Sequence, residues 1–240
     1  RAGHGSLDIV HALEQSCNTF FIDAGLKVGL DRIRPIMLAA GLGTTPPIDL
    51  PNADTGLVPS RAWARGHWGR NWITIDTAYL SIGQGAINVS PLQAALYAAA
   101  VANGGTVFQP YLVQRVVGRG GEVRKETAPR ALSRLPVDPD TLQVVRNGMR
   151  LVVNGEHATA RRAQNNALSL AGKTGTAEVK SGTEDYNNTW FICYGPWEDP
   201  RYAAAVLVEH GESGGRTAAP IAGRFFEQWL TAETRVSERR

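Results

Sequence analysis

The last third of the chain restricts the fold most, because its hydrophobic pattern changes there from helical to strand-like. Three apolar runs separated by turn-rich pieces predict consecutive strands at residues 169–179, 188–196 and 202–209. Apolar residues spaced four apart predict a closing helix over residues 219–230. Helices that come first and strands that come later predict an α+β fold, in which helices flank an antiparallel sheet.

The first two thirds of the chain have mainly helical patterns. The clearest helix begins at Ser90, because Pro91 suits the first helical position and Gln93 completes a capping box. Other predicted helices also begin at a capping residue, and several of them end at a glycine. The predicted helices are 6–15, 18–29, 30–43, 74–85, 90–105 and 138–153.

The remaining segments complete the predicted organisation. Residues 44–72 are rich in Pro, Gly, Asn, Trp and Arg and predict an irregular excursion, which is long for a loop without structure. Alternating residues around a Gly turn predict a hairpin over residues 111–125. We expect one domain in two parts, a mostly helical region over 1–105 and a sheet region over 106–240.

Composition excludes several classes of protein. The chain has 240 residues, of which 43% are apolar and 20% charged, so it can form a packed core. Its net charge of +3 includes no long basic cluster interleaved with aromatic residues, so no nucleic acid is expected as a partner. No run of about 18 apolar residues occurs, so no membrane span is predicted within these residues.

Neither a cofactor nor a metal is expected. The GQG of residues 83–85 follows no strand and is more typical of a helix end than of a phosphate-binding loop. The five histidines show no HExxH spacing, although the proximity of His4, His11 and Cys17 in sequence leaves a zinc site open. Two cysteines cannot form a disulfide framework.

Lys173 stands out in the strand-like stretch SLAGKTGTAEV, residues 169–179. A buried unpaired ammonium is costly, so we expect it to face a cleft or the sheet edge. Gly172 and Gly175 leave the backbone accessible, which suits an extended peptide that carries a carboxylate. The alternative interpretation is a surface lysine beside turn glycines.

Ser16 and Asn18 form a Ser-x-Asn at a break between two predicted helices. A serine hydroxyl can relay a proton, and an asparagine amide can both donate to and accept from a peptide bond. The alternative interpretation is a helix cap.

Ser-x-Asn followed by Lys-Thr-Gly resembles the second and third motifs of penicillin-binding proteins and serine β-lactamases. In order and spacing, the chain is similar to class B penicillin-binding proteins over nearly its whole length, and most to the elongation-type member, penicillin-binding protein 2. The stretches that carry the resemblance include ALEQSCNTFF (12–21), GLGTTPPIDLPNADTGLVP (41–59), SIGQGAINVSPLQAA (81–95), AGKTGTAEV (171–179) and WFICYGPWEDPRYAAAVLVEHG (190–211).

The resemblance implies a peptidoglycan D,D-transpeptidase that crosslinks stem peptides through an acyl-serine intermediate and binds β-lactam antibiotics as substrate mimics. It implies a location at the inner membrane with the domain on the periplasmic side, and other cell-wall elongation proteins as partners. Two rival interpretations stay open. One is a D,D-carboxypeptidase or β-lactamase of the same fold, and the other is a non-catalytic module that binds stem peptides or partner proteins.

The resemblance also implies roles for individual residues. Ser16 would relay protons, Asn18 would hydrogen-bond the backbone of the stem peptide, and Lys173 would supply positive potential. The Thr176 N–H would form half of the oxyanion hole. The substrate carboxylate would bind at the positions that follow the lysine: Thr174, Gly175 and Thr176.

The chain departs from the family pattern in one decisive respect, because it contains no S-x-x-K tetrad. None of its four lysines, Lys27, Lys125, Lys173 and Lys180, follows a serine by three positions. We expect the nucleophile and the membrane anchor to precede Arg1. A smaller departure is Ala158, which stands where the family usually has glycine and puts a tight turn there in doubt.

Two spatial expectations follow. Ser16 Oγ should lie within about 3.5 Å of the Lys173 ammonium, since only convergence lets both motifs act on one ligand. The absence of the nucleophile helix should leave a void lined by apolar residues between the helical and sheet regions, to be filled by upstream residues or another chain.

Overall fold

A computed structural model of the chain describes residues 3–181 and 184–237. Within these residues, no helix is long and apolar enough to cross a membrane. The α-helices are α1 Ile9–Glu14, α2 Asn18–Val28, α3 Leu30–Ala39, α4 Arg61–Trp68, α5 Thr74–Leu80, α6 Pro91–Ala102, α7 Pro139–Asn154 and α8 Ala219–Ser237. The strands are β1 Thr106–Phe108, β2 Arg115–Val117, β3 Val123–Glu126, β4 Ala131–Arg134, β5 Ala171–Ser181, β6 Glu184–Gly195 and β7 Tyr202–Val208.

The largest sheet is antiparallel and has the strand order β5-β6-β7, which confirms the three predicted strands and the α+β class. Lys173 lies opposite Ile192 in the register, and Thr176 lies opposite Thr189. Because β5 pairs on one side only, it forms an edge of this three-stranded sheet.

Apolar clusters cover both faces of this sheet, and successive strand residues contribute to opposite faces. Phe191 and Cys193 of β6 pack with Phe226 of α8 on one face. Tyr194 packs on the other face in a cluster with Met149 of α7. Full burial of each large apolar side chain contributes about 1.5–3 kcal/mol, so the two clusters hold the sheet between α8 and α7.

The start of α6 anchors the irregular segment that the sequence predicted. Ser90 and Gln93 form the predicted capping box. The buried amide of Gln93 also donates to the carbonyl oxygens of Thr44 and Thr55, each at 2.9 Å. This one side chain therefore ties the excursion to the helical region at two points.

The excursion is less irregular than predicted, because it contains α4. Ser60 caps this helix by accepting a hydrogen bond from the Trp63 N–H at 3.0 Å. Trp63 stacks on His67 and meets the edge of Trp68 at 4.9 Å between ring centroids. Aromatic packing therefore stabilises a helix in a segment whose Pro and Gly content predicted none.

Other boundaries also differ from the prediction. The helix predicted over 30–43 ends at Ala39, and the one predicted over 74–85 ends at Leu80. The predicted hairpin is confirmed as β2 and β3. The pairing of β1 with β4 was not predicted, since these strands of three and four residues are too short for alternation to be visible.

Candidate active site

A cleft of about 730 Å³ lies between the junction of α1 and α2 and the edge strand β5. Apart from Ile82 and Ala158, its described lining consists of polar or charged residues and glycine. The apolar void expected between the helical and sheet regions stays a prediction. All the predicted site residues line the cleft: Ser16, Asn18, Lys173, Thr174, Gly175 and Thr176.

Ser16 lies in the turn that ends α1, with a φ of 50°. The Cys17 N–H donates to the Ala12 carbonyl at 2.9 Å, and the Ser16 N–H donates to the Leu13 carbonyl at 3.2 Å. The turn closes the helix as a left-handed cap, a position that usually holds glycine. Left-handed backbone costs a serine about 1–2 kcal/mol. Asn18 is the first residue of α2 and lies two positions after Ser16, so the turn fixes where α2 begins relative to α1.

The Lys173 ammonium joins the two walls of the cleft. It donates a hydrogen bond to Ser16 Oγ across 157 residues of sequence, and another to the Thr174 carbonyl at 2.7 Å. The expected proximity of Ser16 and Lys173 is therefore confirmed. Among the described residues, no carboxylate forms an ion pair with Lys173. Burial lowers the pKa of Lys173 to about 8, because the ammonium loses hydration without gaining a counter-charge.

The backbone of β5 is open towards the cleft at Thr176. The Thr176 carbonyl accepts a hydrogen bond from Gln84 Nε2 at 3.2 Å, on the side away from β6. In an antiparallel strand the N–H and C=O of one residue point the same way, so the Thr176 N–H also faces the cleft. The Thr176 hydroxyl accepts from the Gly214 N–H at 3.3 Å, which leaves its proton available to an anion.

Glycine is required where the segment after β7 meets β5. A Cβ added to Gly214 would lie 2.5 Å from the Gly175 carbonyl oxygen, and one added to Gly215 would lie 2.1 Å from the Thr159 carbonyl oxygen. The short π-helix Gly214–Ala218 is therefore in close backbone contact with both β5 and the loop around Thr159. These contacts fix the width of the cleft.

Glu14 was missed by the sequence reasoning, although it holds the loop around Thr159, which lies between the two walls of the cleft. Its buried carboxylate accepts from the His157 N–H at 2.7 Å, and its carbonyl accepts from the Thr159 hydroxyl at 2.9 Å. Thr159 in turn accepts from the Thr174 hydroxyl at 3.4 Å. Ala158 is not among the residues with positive φ, so the loop does not need the glycine that the family usually has there.

The other residues singled out from the sequence are Asn18 and the possible metal ligands His4, His11 and Cys17. Asn18 is exposed, and no hydrogen bond is found for its amide within residues 3–181 and 184–237. The same residues bring no three metal-ligating side chains together, so His4, His11 and Cys17 form no zinc site there. Hydrogen bonds from Thr19 and then from His4 lower the pKa of the Cys17 thiol to about 7, a perturbation that nothing in the sequence indicated.

The fold, with Ser-x-Asn and Lys-Thr-Gly on facing walls of one cleft, is typical of penicillin-recognising proteins. The family described as Penicillin binding protein transpeptidase domain matches residues 1–227. The chain therefore belongs to this family.

Curated relatives extend beyond the part that this chain matches. Peptidoglycan D,D-transpeptidase MrdA of Haemophilus influenzae is 30% identical over 248 residues, which cover 96% of this chain and 37% of the relative. Peptidoglycan D,D-transpeptidase PbpA of Mycolicibacterium smegmatis is 35% identical over 228 residues, which cover 90% of this chain and 42% of the relative. The chain thus spans about two fifths of the length of these relatives.

Solved structures share the fold. The penicillin-binding protein PBP2 of Helicobacter pylori, in complex with MreC, is 28% identical with a TM-score of 0.79 and matches 95% of this chain and 42% of its own. Penicillin-binding protein A of M. tuberculosis, as the imipenem acyl-enzyme complex, is 28% identical with a TM-score of 0.78. That match covers 94% of this chain and 49% of the solved chain.

Proposed function

We propose that this chain forms the substrate-binding walls of a peptidoglycan D,D-transpeptidase whose acylated serine lies outside these 240 residues. The observation that carries the proposal is the hydrogen bond from Lys173 to Ser16 beside an open strand edge. This hydrogen bond supports a proton-exchanging role for the pair, which lies next to backbone groups that can bind an extended peptide.

The donor stem peptide binds along the edge of β5 as an added strand. Its C-terminal carboxylate lies against the Thr174 and Thr176 hydroxyls, and Lys173 supplies the positive potential. Gly175 leaves room for the peptide backbone to approach. The Asn18 amide is free to hydrogen-bond the peptide from the opposite wall.

Acylation uses this geometry in two steps, through a tetrahedral intermediate. The external serine oxygen forms an ester with the carbonyl carbon of the penultimate residue, and the C–N bond to the terminal D-alanine breaks. The Thr176 N–H donates to the developing oxyanion, a contact worth about 3 kcal/mol. Lys173, whose pKa is about 8, delivers a proton through the Ser16 hydroxyl to the departing amine, and the hydroxyl proton that the external serine gives up replaces it, so that protons balance.

The comparisons support this assignment and extend it to ligands and partners. The relatives in H. influenzae and M. smegmatis carry the name peptidoglycan D,D-transpeptidase, and the M. tuberculosis protein is an imipenem acyl-enzyme. We therefore propose β-lactams as substrate mimics. The H. pylori complex with MreC supports cell-wall elongation proteins as partners. With these partners, the domain would act on the periplasmic side of the inner membrane.

Benzylpenicillin tests the proposal by intact-mass spectrometry. The 240-residue chain should gain no covalent adduct. In the longer polypeptide that contains it, one adduct should map to a serine three residues before a lysine. An adduct on this chain that is lost in Ser16→Ala would contradict the assignment. If the longer polypeptide has no such serine and binds stem peptides reversibly, the non-catalytic module is the correct interpretation.

The acceptor of the acyl group distinguishes a hydrolase from a transpeptidase. A D,D-carboxypeptidase or β-lactamase of the same fold would pass the acyl group to water. Incubating the longer polypeptide with a donor stem peptide and a second amine-bearing stem peptide should therefore yield a crosslinked product, which mass spectrometry detects. Hydrolysed donor without crosslinked product would favour the hydrolase.

A further inference from the structure

The cleft has a strong excess of positive charge. Lys173, Arg161, Arg162 and Arg216 line it, and among the residues that the structure describes no carboxylate contributes to the lining. Glu178 lies two residues beyond Thr176 on β5 but does not contribute to the lining. One substrate carboxylate at Lys173 leaves three further cations along the same cleft.

The three arginines differ in how they are held. Arg161 donates to the carbonyl oxygens of Gly155 and Glu156, at 2.9 and 2.7 Å, so its guanidinium is already engaged by backbone. Arg216 forms an exposed ion pair with Glu212, and Glu212 does not contribute to the cleft lining. For Arg162 neither a hydrogen bond nor an ion pair is found in the part of the chain that the structure describes.

Arg162 and Arg216 come from segments that touch each other. The backbone of Gly215, the residue before Arg216, abuts the Thr159 carbonyl oxygen, and Arg162 follows Thr159 by three positions. The two arginines therefore lie on segments that meet at the rim of the cleft, and both of them line it. A guanidinium binds a carboxylate through two parallel N–H donors, so this rim suits an anionic group of the ligand.

We propose that Arg162 and Arg216 recognise a second carboxylate of the stem peptide, upstream of its C-terminus. This inference rests on the proposed function, because it assumes that the C-terminal carboxylate occupies Lys173, Thr174 and Thr176. The preferred substrate class is thus a peptide with two carboxylates, and a neutral side chain at the upstream position binds more weakly.

Four synthetic peptides that end in D-Ala-D-Ala test both the recognition of an upstream carboxylate and the proposed function on which it rests. The C-terminus of each peptide is either free or amidated. The residue before D-Ala-D-Ala carries a side-chain carboxylate that is likewise either free or amidated. Calorimetry at low salt measures their affinity for the unchanged chain, for Arg162→Gln, for Arg216→Gln and for the double variant. Arg224→Gln is the matched control, because this exposed arginine lies on α8 and outside the cleft lining.

The unchanged chain should prefer the free upstream carboxylate by roughly tenfold, and each single variant should lose about threefold of that preference. In the double variant the preference should fall to within about twofold, whereas Arg224→Gln should retain it. Increasing the salt concentration should reduce the preference, since these arginines are exposed to solvent.

Three outcomes would overturn the inference while leaving the proposed function intact. They are no preference in the unchanged chain, a preference unchanged in the double variant, and an equal loss of affinity for both upstream forms. The last would mean that the arginines bind the C-terminal carboxylate. If C-terminal amidation has no effect on affinity, or no peptide binds, the proposed function itself fails and the inference fails with it.

Discussion

The two walls of the cleft are built in different ways. The strand wall is four consecutive residues of β5, Lys173 to Thr176, whose geometry follows from regular antiparallel pairing with β6. The helical wall is a break between α1 and α2, where Ser16 has a left-handed backbone. It is held by contacts from Glu14 to residues more than 140 positions away.

The two kinds of wall suit different tasks: a regularly paired strand suits binding, and a strained turn suits chemistry. A strand edge offers a peptide a fixed row of backbone donors and acceptors, so it is suited to binding. A strained turn persists only where surrounding contacts hold it, and such strain is typical of sites that perform chemistry. Lys173 connects the walls because it lies on the first and donates to the second.

The strand β5, which carries the strand wall, should be sensitive to added side-chain volume at Gly172, the residue before that wall. A methyl group at Gly172 would lie 2.5 Å from the Ile192 carbonyl oxygen and 2.6 Å from Phe191 Cζ. Gly172→Ala should therefore lower the free energy of unfolding by about 3 kcal/mol, as measured by urea denaturation. At Gly66, in α4, the same methyl group meets nothing within 4 Å.

Gly66→Ala is the matched control and should be neutral or stabilising by up to about 1 kcal/mol. Equal stability of the two variants would show that β5 is not packed against β6 as described.

Lys173 should make stability depend on pH in a defined direction. Its pKa falls from 10.5 to about 8 on folding, so between these values the unfolded chain binds more protons and stability rises with pH. The penalty below pH 8 is at most about 3 kcal/mol. Lys173→Met removes it, so the variant should gain stability over the unchanged chain at pH 7.5.

Urea denaturation at pH 7.5 and at pH 10.5 measures this difference, which should shrink at the higher pH. A difference that stays constant between the two pH values would show that Lys173 is not buried unpaired.

Glu14 should control the loop that lies between the walls. Glu14→Ala leaves the His157 N–H without its acceptor and a gap in a buried site, at a cost of about 2 kcal/mol. Glu14→Gln keeps an acceptor oxygen and should cost clearly less. Hydrogen exchange at His157 should become faster in Glu14→Ala. Unchanged exchange there would contradict the anchoring role.

Ser16 tests the strain in the helical wall, with the smallest effect. Ser16→Gly and Ser16→Ala both remove the hydroxyl, but only glycine adopts φ near 50° without steric cost. The glycine variant should be more stable than the alanine variant by about 1 kcal/mol in urea denaturation. A more stable alanine variant would mean that the turn is not left-handed in solution.

The sequence predicted the strand wall better than the helical wall. A strand-like apolar run and two glycines located β5 and its accessible backbone, because those signals are local. The Ser-x-Asn turn could equally have been a helix cap, and family resemblance singled it out. Its left-handed backbone had no sequence signal, since serine carries no mark of αL geometry.

Several site residues were beyond sequence reasoning because their contacts are distant. Gln84 reaches Thr176 across 92 residues, and Thr159 reaches Glu14 across 145. Arg162 and Arg216 are surface arginines in the sequence, and only the packing of Gly215 against Thr159 brings their segments together. Sequence patterns describe elements, whereas these contacts depend on how the elements pack.

A double-mutant cycle on Ser16 and Lys173 tests most directly whether the two walls act as one site. Calorimetry would measure the affinity of a peptide ending in D-Ala-D-Ala for the unchanged chain, Ser16→Ala, Lys173→Met and the double variant. Because the two side chains are hydrogen-bonded, the losses should be non-additive by about 1 kcal/mol. Losses that add to within about 0.3 kcal/mol would contradict a shared site.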